Sequence, residues 1–203
     1  GEGAALGATT AFEQALRHKP ELIDALVGRG ATRQALDKVA EALPAYEKAV
    51  ALNPSLAHHR QALLDAYAAA HQPQTGLARL ATLDDHLQRY GREDERLALH
   101  AWRITYYTEL KQWPQVLAAY RAWDAALARS TDDASRNQRL ELASQLHDLG
   151  TQRQADGAVG DAEAAYRQAL AIREAVRGPE HLDVRSLRAL AETLRQQQRA
   201  SEA

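Results

Sequence analysis

The sequence predicts an all-α protein built from stacked antiparallel helix pairs, and three observations carry that prediction. Ala, Leu, Gln, Arg and Glu, all good helix formers, dominate the 203 residues. Aromatic residues make up only 5% of the chain and β-branched residues are sparse, which leaves little with which to build strands. A pattern of small residue, aromatic, small residue and proline recurs at a spacing of 34 residues.

The first copy runs Ala8-Thr9-Thr10-Ala11-Phe12-Glu13-Gln14-Ala15 and ends at Pro20; the second runs Ala42-Leu43-Pro44-Ala45-Tyr46-Glu47-Lys48-Ala49 and ends at Pro54. Residues three and four apart share one face of a helix. Small Ala42 and Ala49 therefore let a neighbouring helix approach, while Tyr46 fills the space between them. Pro54 cannot continue the helix and turns the chain towards its next partner. This pattern resembles the second half of a tetratricopeptide repeat, whose period is about 34 residues. The resemblance implies a right-handed solenoid of paired helices, with Ile23 to Leu36 as the first helix of a pair and Gly30 at the close crossing.

The later elements follow the same register with more drift. Ala57 to Ala70 reads as a first helix carrying Leu63, Leu64 and Tyr67. The Gln72-Pro73-Gln74 turn leads into a second helix, with Gly76, Leu80 and Leu83 at the pattern positions and a stop at Gly91. A further pair spans Asp94 to Leu110 and Pro114 to Arg129, with Val116, Tyr120 and Trp123 in the pattern. Leu146 to Gly150 opens another unit, which continues through Ala162, Tyr166 and Ala169 into Gly178-Pro179-Glu180-His181-Leu182-Asp183-Val184. That stretch is similar to the longer repeats of kinesin light chains and their bacterial relatives, with Leu182 departing from the second proline of their connecting loop. The expected organisation is one array over residues 1–203. It comprises a lone second helix (5–19), pairs at about 22–53, 56–90, 94–129 and 133–177, and a lone first helix (182–198), with Ser201 beginning the next. Terminal repeats normally carry polar caps; neither end has one, so the array is expected to continue in at least one direction.

Several functional classes are disfavoured. With 25 basic against 27 acidic residues the formal net charge is −2, no basis for the clustered phosphate neutralisation that nucleic acid requires. No apolar run reaches the ~20 residues of a membrane span, no signal-peptide pattern opens the chain, and a cytoplasmic location is the default. No Cys is present, so there is neither a disulfide framework nor a thiolate metal site. His58 and His59 point about 100° apart on a helix and lack partners at i+4, and His147-Asp148 meets the same objection; these read as solvated surface, and no metal or cofactor is expected. No nucleophile elbow or phosphate loop occurs, and no enzymatic activity is expected. Asp84-Asp85 and Glu93-Asp94-Glu95, flanked by Arg89, Arg92 and Arg96, read as helix-end charge and surface ion pairs.

By resemblance, the first helices line a concave binding surface. Its inward residues would be Asp24, Val27, Ala31 and Gln34; then His58, Gln61, Ala62, Asp65 and Ala69; then Ala98, Trp102, Thr105 and Glu109. His147, Asp148, Thr151 and Gln154 follow, and last Arg185, Arg188, Glu192 and Arg195. Among these, Gln34, His58, Gln61, Asp65, Trp102, Thr105, Glu109, His147, Asp148, Thr151 and Arg188 are the candidate peptide-binding residues. The family's co-chaperones clamp a terminal carboxylate with Lys, Asn and Arg; Val27, Ala31, Ala62, Ala98 and Trp102 stand in those places and cannot form it. Of the tryptophans, Trp113 should brace a turn, Trp123 should be core, and Trp102 should face the ligand on a register that buries Tyr107. The expected function is a non-catalytic scaffold for a protein or peptide segment. The alternative is a sensory or regulatory module controlling a fused effector domain.

Overall fold

A computed structural model of the chain describes residues 2–178 and 183–202, with side chains for 3–178 and 183–198. The described residues form ten helices and no strand: α1 (Glu2–His18), α2 (Ile23–Ala35), α3 (Val39–Leu52), α4 (Ala57–Ala69), α5 (Pro73–Arg89), α6 (Glu93–Glu109), α7 (Trp113–Leu127), α8 (Asp133–Ala155), α9 (Val159–Arg177) and α10 (Val184–Glu202). The fold is the all-α helical-repeat class expected of the sequence. Residues 179–182 of the Gly178–Val184 junction lie outside the described residues, and α10 runs on through Ser201 to Glu202 without a break.

The helices fall into two compact units, residues 1–110 and 111–203. In the first, each helix packs on its sequence neighbour from α1 to α6, and α4 also touches α6. A core cluster joins Ala42, Leu43, Tyr46 and Val50 of α3 to Leu63, Leu64, Ala66 and Tyr67 of α4, Leu80, Leu83 and Leu87 of α5, and Leu99 and Tyr106 of α6. In the second unit, α7 packs on α8 and α9, α8 on α9, and α10 on both α9 and α8. Its buried set includes Val116 and Tyr120 of α7, Leu142 and Leu146 of α8, and Ala162, Tyr166, Ala169 and Ile172 of α9. Ala42, Tyr46 and Ala49 in the first unit and Ala162, Tyr166 and Ala169 in the second are buried, because the aromatic enters the space its small neighbours leave open, whereas Ala8, Phe12 and Ala15 are half-buried.

One construction occurs in both. A Cβ built on Gly30 would lie 2.7 Å from the Tyr46 ring, and one on Gly150 2.7 Å from the Tyr166 ring, so only glycine admits these rings. The tyrosine hydroxyls then donate to Gln34 Oε1 and Gln154 Oε1, each at 3.1 Å. Arg33 reaches Glu41 (2.7 Å) and Arg153 reaches Asp161 (3.3 Å), tying each first helix to its second across the turn. Arg153 also lies 4.0 Å over the Trp113 ring, a cation–π contact that ties the end of α8 to the start of α7.

Four of the turns close in one way. The amides of Lys38, Gln72, Arg92 and Ala158 each bond the carbonyl five residues back, on Arg33, Tyr67, Leu87 and Arg153. This is the Schellman bond that ends a helix through a left-handed residue. Gly91 and Gly157 supply the left-handed residue without strain, at φ +64° and +75°. Asp37 and His71 adopt φ of 60° and 53° despite their side chains, a local cost that packing of the paired helices offsets.

Candidate functional site

In the first unit the candidate residues lie on α2, α4 and α6. His58, Gln61, Asp65, Thr105 and Glu109 are exposed, and Gln34 and Trp102 are half-buried. Trp102 stands at the centre. Its ring packs against the core cluster, and its Nε1 donates to Asp65 Oδ1 at 2.9 Å. Beside it is a small cleft of about 90 Å³ lined by Ala57, Arg60, Gln61, Glu95, Ala98, Leu99 and Trp102. Glu109 is held by His71 Nδ1 at 2.8 Å, and the Thr105 hydroxyl bonds its own helix at Ala101 O, 3.0 Å away.

The register of α6 differs by one residue from that expected. Tyr106, fully buried, is the core aromatic, and Tyr107 is half-buried. The reason lies across the interface, where a Cβ on Gly76 of α5 would sit 2.5 Å from the Tyr106 ring. The missing side chain leaves a hole that only Tyr106 can reach, and its hydroxyl donates to Leu64 O at 2.6 Å. The consequence for Trp102 is that it shares a stripe with Leu99 and Tyr106, at the margin of the core rather than wholly outside it. Trp123, expected in the core, is half-buried.

Two further residues depart from a surface reading. His59 is only 2% exposed, with burial and the neighbouring His58 holding its imidazole below the ordinary pKa. Arg60, which the sequence did not single out, is 4% exposed and donates to the Glu95 carboxylate and to Pro54 O. Glu95 also pairs with Arg92. What reads in the sequence as an exposed acidic cluster thus contains the partner of a buried guanidinium in the floor of the cleft. Asp84 is similar. Burial alone would raise its pKa, but hydrogen bonds from Arg96 (2.7 Å) and Arg103 (2.6 Å) outweigh this and hold it below the usual carboxylate range.

In the second unit α8 carries His147, Asp148, Thr151 and Gln154, and α10 carries Arg185, Arg188 and Glu192. Asp148, Thr151 and Arg188 are exposed. His147 is 4% exposed, and its Nδ1 shares a hydrogen bond of 2.9 Å with Ser186 Oγ, itself fully buried. Arg173 of α9 donates to the same Ser186 hydroxyl and pairs with Asp183, so that one buried polar chain joins α8, α9 and α10. Burial, with Arg185 and Arg173 nearby, keeps His147 below the ordinary histidine pKa, so the wall it forms is neutral at pH 7. His147 and Gln154 face Val184, Arg185, Arg188, Ala189 and Glu192 across an open cleft of about 470 Å³.

Three histidines, His59 and His147 buried and His100 half-buried, imply a pH response. His100 is pushed down to about 4, chiefly by burial and then by Arg103, and His59 and His147 shift the same way. A histidine whose folded pKa is depressed is protonated first in the unfolded chain, so stability present above pH ~6.5 is lost as pH falls towards ~4. The melting temperature should therefore drop between about pH 7 and 4.5, with His100 contributing on the order of 1–2 kcal/mol. His100→Gln should flatten that slope in thermal melts followed by circular dichroism. An unchanged slope would refute the assignment.

Among the described residues no three His, Cys, Asp or Glu side chains gather as a metal site, and no helix is long and apolar enough to cross a membrane. Residues 141–203 match the family model of the tetratricopeptide repeat. Among curated proteins none matches the chain. Solved structures do. A Podosopora anserina protein of kinesin light chain type, with nearly identical TPR-like repeats, aligns at a TM-score of 0.57 and 19% identity, over 86% of this chain and 89% of that one. BtubC (BKLC) from P. vanneervenii aligns at 0.54 and 14% identity, over 96% and 82%. MamA aligns at 0.53 and 17%, over 85% and 90%. At these identities the likeness shows a shared fold.

Proposed function

We propose that this tetratricopeptide-repeat protein is a non-catalytic scaffold that captures a polypeptide segment on the first-helix faces of its units. The observation that carries the reading is Trp102. It is a large aromatic left half-exposed on a first helix, fixed in orientation by its bond to Asp65, beside a cleft just large enough for an aliphatic side chain. Rigid aromatic anchors of this kind contribute disproportionately to polypeptide binding because little conformational entropy remains to be lost. The charges in the cleft floor are satisfied internally, through Arg60, Glu95 and Arg92, so the ring and its apolar neighbours are what it offers a partner.

The test is Trp102→Ala beside Trp102→Phe, with partner recovery from the source cell quantified against the wild-type chain. Because Trp102 borders the core, Ala should cost about 1–3 kcal/mol of stability while the fold persists. Partner affinity should fall about tenfold or more. Full retention of binding by a folded Trp102→Ala variant would refute the reading.

A further inference from the structure

The cleft between α8 and α10 differs from the one beside Trp102 in its charge balance. Of its charged lining, Arg185 lies 3.7 Å from Asp148, and Glu192 is met by Arg195 at 3.4 Å. Arg188 has no ion pair among the described residues, is exposed, and lines the cleft. The other polar lining is already engaged: Gln154 bonds Tyr166 and donates to Gln196 Oε1 at 3.1 Å, and His147 is tied to Ser186. Apolar Val184, 60% exposed, and Ala189 line the same cleft.

We infer that this cleft takes an extended peptide segment carrying an Asp or Glu, its carboxylate on the Arg188 guanidinium and an adjacent aliphatic side chain on Val184 and Ala189. The inference rests on the reading of first-helix faces as polypeptide-binding surfaces and adds the partner's chemistry. A guanidinium pairs a carboxylate through two parallel N–H donors, which fixes orientation as well as charge. Because the cleft is open and Arg188 exposed, such a pair is weakened by added salt. A single uncompensated cation fits one carboxylate; it does not fit a nucleic acid, which needs several phosphates neutralised together.

The experiment pans a random dodecapeptide library on the immobilised full chain, on Arg188→Gln, on Arg188→Glu, and on Val184→Trp, which fills the cleft without altering charge. All four are first matched by circular dichroism. The wild-type chain should enrich Asp and Glu among recovered peptides. Their synthetic forms should bind about tenfold more weakly to Arg188→Gln and lose affinity with added salt. Arg188→Glu should instead recover peptides rich in Lys and Arg, which a structural role for Arg188 would not produce. Peptides blocked by Val184→Trp but neither enriched in acid nor sensitive to Arg188→Gln would overturn the inference and leave the scaffold reading standing. Recovery of no peptide by the wild-type chain would overturn both for this unit.

Discussion

Tyr106→Ala should destabilise the first unit by about 3–5 kcal/mol, whereas Tyr107→Ala, one residue on, should cost no more than about 1 kcal/mol. The Tyr106 ring is fully buried at the junction of α4, α5 and α6, over the space left by Gly76, so truncation opens a cavity that a stack of rigid helices cannot collapse to fill. Tyr106→Phe keeps the ring and removes only the 2.6 Å bond to Leu64 O, at about 1 kcal/mol. Urea unfolding followed by circular dichroism would rank the three variants. A Tyr107→Ala loss equal to or larger than that of Tyr106→Ala would mean that α6 is rotated from the described position, and Trp102 with it.

Glu95→Ala should cost about 2–4 kcal/mol, more than an acid at a helix start normally would. Arg60, 4% exposed, would be left buried with Pro54 O as its one remaining partner among the described residues. The size of the loss comes mostly from that stranded charge and not from attraction in the intact pair. Removing both charges should therefore be kinder than removing one: Arg60→Met with Glu95→Leu should recover most of the loss. A double-mutant cycle in chemical denaturation decides between the accounts. If the double variant is as unstable as the sum of its parts, Arg60 and Glu95 do not act as a pair.

The candidate site was legible in the sequence unevenly, for physical reasons that differ by residue. The helix faces bearing Gln61, Asp65, Thr105 and Arg188 were assigned by resemblance to paired-helix repeats, and these residues are exposed in the structure. Gln34 was assigned to the binding face, but its bond from the Tyr46 hydroxyl depends on the neighbouring helix. His147 was placed on the same face and forms a wall of the cleft, yet it is buried against Ser186, a residue 39 positions away in sequence. Arg60 gave no signal. A buried arginine looks like any other arginine until the acid and carbonyl that receive it are in place.

The sequence by itself determined the all-α class and the burial of Tyr46 and Tyr166, because the class follows from residue propensities and those burials from a spacing that repeats. The tertiary structure alone decided which of Tyr106 and Tyr107 enters the core, that Asp37 and His71 would close turns at positive φ, and that Glu95 would face a buried guanidinium. Periodicity locates a helix face only to within a residue, about 100° of rotation. Resolving that last step takes the shape of the opposing surface, here the hole over Gly76.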